Sequence, residues 1–94
     1  MTIRLAPLST ADDHDTLTGE VQTALAVLAD IETRFAIDRE RLDRWTGPAA
    51  VKARLMTDLQ RRREAERGPV MRRLTDLQAG LRHVMTARQP SRLH

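Results

Sequence analysis

From Leu17 the apolar residues of this chain recur at steps of four and three. Leu17, Val21, Ala24, Leu28, Ile31, Phe35, Leu42 and Trp45 fall on one seam, with Asp38 filling a slot. That spacing predicts an amphipathic helix of about four heptads, roughly 45 Å long over thirty residues. Leu25, Val27, Ala29 and Ile37 lie off the seam. The first helix is therefore apolar on more than one stripe, and such a helix is usually contacted from more than one side. A second region repeats the pattern. Val51, Leu55 and Leu59 stand four apart, and after the polar stretch QRRREAERGP the seam resumes at Val70, Leu74, Leu77, Leu81 and Val84. No segment shows the sustained alternation of a strand.

Two Gly-Pro pairs punctuate the helical pattern. Gly47-Pro48 follows the only tryptophan, Trp45, close to mid-chain. Glycine suits the left-handed position just past a helix end, and proline suits the first position of the next helix. The first helix is thus expected to end near Trp45 and the second to begin at Pro48. So short a connection makes the helices neighbours, which predicts an all-α antiparallel hairpin turning at Trp45 and Gly47. Gly68-Pro69 leaves two readings of the second arm: one helix kinked there, or a split with a new helix starting at Pro69. Residues 1–14 are expected to be irregular, with Asp12, Asp13, Asp15 and Thr16 suited to capping the first helix. Residues 89–94 form a loose tail after the helix.

At 94 residues the chain holds one domain, and a core this small often relies on partners. The net charge of +3 hides an asymmetry. Residues 1–46 carry nine acids and five bases, and residues 47–94 carry eleven bases and four acids. Two antiparallel helices of opposite sign attract each other and disfavour the wrong pairing. There is no cysteine, no apolar run long enough to span a membrane, and no N-terminal apolar core of signal-peptide length. No membrane insertion is expected. The expected location is the cytoplasm, or outside it by a route that needs no classical signal peptide.

Candidate chemistry is sparse. His14, His83 and His94 are far apart and lack carboxylates at metal-ligand spacing. No glycine-rich phosphate loop and no nucleophile beside a base is present. No catalytic residue, cofactor or metal is therefore assigned. Arg61, Arg62, Arg63, Arg67, Arg72 and Arg73 form a basic run that could meet nucleic acid or an acidic protein surface. Glu64 and Glu66 interrupt it, no aromatic residue is at hand for base stacking, and the first helix supplies acids for the arginines to face. Nucleic acid is the weaker expectation. The favoured function is association. Leu17, Val21, Leu25, Leu28, Ile31, Phe35 and Leu42 on the first arm, with Leu74, Leu77, Leu81 and Val84 on the second, are the candidate partner-packing residues.

The segment WTGPAA places Trp45, Gly47, Ala49 and Ala50 at the turn of a predicted hairpin in a chain just under a hundred residues long. This resembles the WXG family of small type VII (ESX) secretion substrates and their partners, in which two helices flank a mid-chain Trp-x-Gly turn. The resemblance covers the hairpin in pattern rather than identity. It implies a four-helix bundle formed as a homodimer or with a similar small helical protein, and a secreted pair or an adaptor of that system. The chain departs from the family in its arginine-rich second helix, in Pro48 and Gly68-Pro69, and in having no tyrosine for the family's C-terminal export signal. In that family one member of a pair can lack the signal and travel with the other. The rival expectation is a cytosolic, arginine-rich helical adaptor.

Overall fold

The computed structural model describes residues 10–88 of the chain, with side chains over 13–87. They form two helices, α1 (Thr10–Asp43) and α2 (Ala49–Arg88), joined by five residues and packed on each other as a helical hairpin. No strand occurs among the described residues. The helices contain 34 and 40 residues, or about 51 and 60 Å of rise.

The first arm starts earlier than its sequence suggests. Residues 10–14, expected to be irregular, are already helical; residues 1–9 and the expected tail at 89–94 lie outside the described residues. No helix breaker stands between Pro7 and Gly19, and Asp12, Asp13 and Asp15 place negative charge where the helix dipole is positive. That composition lets the helix run back past the acids instead of starting after them.

The second arm is one helix, not two, and it passes through Pro69. A proline inside a helix leaves the carbonyl four residues earlier without its donor and costs about 3 kcal/mol. The orphaned carbonyl belongs to Ala65. Ala65 and Pro69 are both exposed, which puts water within reach of that carbonyl. Val70, Leu74 and Leu77 follow at once and hold the distal half of α2 against α1.

Between the arms lies a narrow core. Ala24, Ile31, Leu42, Leu74 and Leu77 are buried, and Leu17, Val21, Leu28 and Val70 pack in part against the cluster of Ala24, Leu74 and Leu77. The seam read from the 4–3 spacing is therefore the contact between the arms. Phe35, Leu81 and Val84 are half-buried. Leu25, the off-seam member of the candidate partner-packing set, is 47% exposed. No large side chain is completely enclosed among the described residues.

At the turn, α1 closes through a bond from the Trp45 N–H to the Leu42 carbonyl at 3.0 Å. The Pro48 carbonyl accepts the first bond of α2, from the Lys52 N–H at 3.0 Å. Pro48 thus caps α2 and does not occupy its first turn. Lys52 also reaches back, donating from Nζ to the Asp43 carbonyl at 2.9 Å. A cation there satisfies an open carbonyl at the negative end of the α1 dipole and ties the two helix ends together.

Candidate association surface

Ion pairs bracket the seam on both sides. On one side Glu32 of α1 accepts from Arg63 Nε at 2.7 Å and Nη2 at 3.1 Å, and from Arg67 Nε at 3.0 Å. The Arg63 guanidinium also lies 5.0 Å from the centre of the Phe35 ring, in cation–π range. The Arg63 hydrogen bond holds the Glu32 carboxyl below its ordinary pKa, against some desolvation, with further help from the charges of Arg63 and Arg67. The same bond raises the Arg63 pKa. On the other side stand Glu20 with Arg73, Arg34 with Glu66 at 3.9 Å, and Asp38 with Arg62 at 3.3 Å.

The basic run is thereby largely engaged. Arg62, Arg63, Arg67 and Arg73 all pair with acids of α1, while no ion pair among the described residues includes Arg61 or Arg72. Four of six cations turned toward the partner helix leave little of the continuous footprint that phosphate binding needs. Among the described residues there is also no group of three or more histidines and acids placed to hold a metal, and no helix long and apolar enough to cross a membrane.

Because Glu32 titrates below the ordinary value of 4.5, its contribution to stability is present above that value. It is lost as pH falls through the lowered folded value. Thermal melts across pH 3–7 should therefore show a steeper acid-side fall for the natural chain than for Glu32→Gln. Equal slopes would mean that the clamp contributes nothing.

The side carrying Glu20, Arg34 and Asp38 is grooved. Glu20, Val27, Arg34 and Arg41 stand seven apart on α1 and line its length, and Leu55, Arg62 and Pro69 do the same on α2. Three clefts follow one another along it. At the turn an open cleft of about 550 Å3 has Leu42, Trp45, Leu55 and Leu59 as its floor and Asp38, Arg41, Asp58 and Arg62 as its rim. A small central cleft of about 130 Å3 is crossed by the Arg34–Glu66 and Asp38–Arg62 pairs. A third, of about 430 Å3, lies between Val27 and Val70 with Glu20 and Arg73 at its edge. Apolar, charged and apolar zones therefore alternate along one face.

Trp45 does not close the turn as its place on the seam suggests. It is 39% exposed and faces Leu55 and Leu59 across the first cleft, and Val51, at the start of α2, is 45% exposed. Its ring folds back on Gly47. A methyl group on Gly47 would overlap the ring atoms Cη2 and Cζ2. Gly47 does not hold the left-handed backbone expected of it, since its φ lies outside the positive range. Glycine is required because the indole occupies the space of a side chain. Asparagine should therefore be no better tolerated than any other residue. Gly47→Ala should displace the ring and destabilise the natural chain, yet cost little in a Trp45→Ala background. A double-mutant cycle by thermal denaturation reads this directly: strong coupling supports the contact, and additive effects contradict it.

Comparison with protein-family models, curated proteins and solved structures finds no match to this chain.

Proposed function

We propose that this chain is a protein–protein association module that pairs its hairpin with another small helical hairpin to form a four-helix bundle. The observation that carries this reading is the imbalance of the surface. Among the described residues five apolar side chains are buried between the arms, while eight large ones, Trp45 among them, stay at least 36% exposed. A two-helix hairpin with so thin a core is marginal by itself, and covering the exposed stripes adds about 25 cal/mol per Å2 of apolar surface. The indole seated on Gly47 at the turn supports a reading as a substrate or partner of the type VII secretion kind, which the segment WTGPAA resembles. On that reading the chain travels as one member of a pair, and it has no catalytic role.

The test is sedimentation equilibrium of the whole chain, 10.7 kDa, from about 1 to about 100 μM, alone and mixed with any hairpin protein encoded beside it. A species of two chains is the expected result. A single chain of full helicity and cooperative melting under every condition would overturn the reading.

A further inference from the structure

We infer that residues 70–88 of α2 form a strap, hinged at 65–69, that lifts off α1 while the turn half of the hairpin stays closed. This goes beyond the association reading and does not depend on which chain pairs with the hairpin.

The backbone of α2 is weakest at one place. Pro69 has no N–H, so the Ala65 carbonyl lacks its helical donor. Gly68 stands directly before it, and two further penalties meet there. Glycine loses the most backbone freedom on entering a helix, and a residue before proline is disfavoured in the helical region. Packing does not bridge the weak point, because α2 carries no large apolar side chain between Leu59 and Val70. Over the same length α1 is uninterrupted. It contains no proline from Thr10 to Asp43, and its one glycine, Gly19, lies well away from the level of the hinge. The rigid member is therefore α1, and the joint lies in α2.

The two sides of the joint are held differently. On the turn side α2 is tied to α1 by the Lys52 bond to the Asp43 carbonyl and by the pairs Arg62–Asp38, Arg63–Glu32, Arg67–Glu32 and Glu66–Arg34. Beyond Pro69 the described residues give one ion pair between the arms, Arg73–Glu20, with side chains 56% and 42% exposed. A pair so open to water contributes little. What holds the strap down is the cluster of Ala24, Leu74 and Leu77 with Leu17, Val21, Leu28 and Val70, which takes no member from the turn half. A segment with its own apolar contacts, few polar ties and a weak joint opens at lower free energy than the whole fold. Its opening bares Leu17, Val21, Ala24 and Leu28, the distal seam of α1. While the strap is down no other helix reaches that seam, so the strap controls access to it.

Amide hydrogen exchange of the whole chain, followed residue by residue by NMR at one fixed concentration, tests the strap. Corrected for intrinsic rates, the amides of residues 72–84 should exchange at least about tenfold faster than those of 53–63, with a step at the hinge. Leu42 is buried in the turn half, and its contacts persist when the strap lifts. Leu42→Ala should therefore speed exchange at 53–63 at least about tenfold and leave 72–84 unchanged. Leu59→Ala, at a half-buried position of the same half, should give the same pattern at smaller amplitude. One protection level from 53 to 84, or a smooth gradient of fraying toward Arg88, would overturn the hinge. Equal acceleration of both groups in the variants would show that the arms separate only as a whole, and would overturn the strap.

Discussion

Leu77→Ala should cost the fold about 2–4 kcal/mol, the range for removing a buried leucine side chain and leaving a cavity. Leu77 is 4% exposed and belongs, with Ala24 and Leu74, to the cluster that holds the distal halves of the arms together. It stands two turns beyond Pro69, where α2 lacks one backbone bond, so local helix stability is least able to make up for lost packing. A domain of this size has only about 5–10 kcal/mol of stability to lose. Urea unfolding followed by far-UV circular dichroism should show the midpoint falling sharply, with Val27→Ala, an exposed position of similar chemistry, changing it little. A loss under about 1 kcal/mol for Leu77→Ala would mean that the seam is not the structural core.

The second large effect is on association. Leu55 is 40% exposed in the separate hairpin and forms part of the floor of the turn-end cleft beside Trp45. Leu55→Glu adds a carboxylate that is solvated when the hairpin is alone and desolvated when the cleft is covered. Dimer affinity should drop at least about 30-fold, the scale of a central interface residue. Helicity of the dissociated chain should remain unchanged. Trp45→Ala should act in the same sense, weakening association more than it destabilises the single hairpin, because much of the ring is already exposed. Sedimentation equilibrium gives the affinity and circular dichroism the fold. Unchanged affinity for both variants would remove the turn-end cleft from the interface.

What the sequence made legible follows from which signals are local. The 4–3 spacing from Leu17 to Leu42 and from Val70 to Val84 located the helices and the contact between them, because a heptad seam has one geometric solution in a hairpin. The opposite charges of the two halves likewise foretold that α1 acids would meet α2 arginines, as Glu32 does with Arg63 and Arg67. Three features were not legible, each for a physical reason. Helix continuity through Pro69 depends on tertiary packing by Val70, Leu74 and Leu77, which overrides a local breaker. The role of Gly47 was misassigned because a glycine after a helix most often marks positive φ, whereas here it makes room for an indole two residues away. The grooved face was hidden because its heptad line, Glu20, Val27, Arg34 and Arg41, mixes charge with one valine and reads as ordinary surface. The off-seam Leu25 and Val27 did signal that α1 is apolar on more than one stripe, and both remain exposed beside a seam already filled by α2.

Trp45 is the only tryptophan and the chain has no tyrosine, so intrinsic fluorescence reports on the turn-end cleft alone. The central claim is that this half-exposed ring becomes covered when two hairpins meet. Emission recorded over a dilution series from about 100 μM to about 0.1 μM should move from a blue-shifted, shielded position to a solvent-exposed one. The transition should track the dimer dissociation seen by sedimentation. Emission fixed at the solvent-exposed position, over a range in which sedimentation shows chains associating, would contradict the claim.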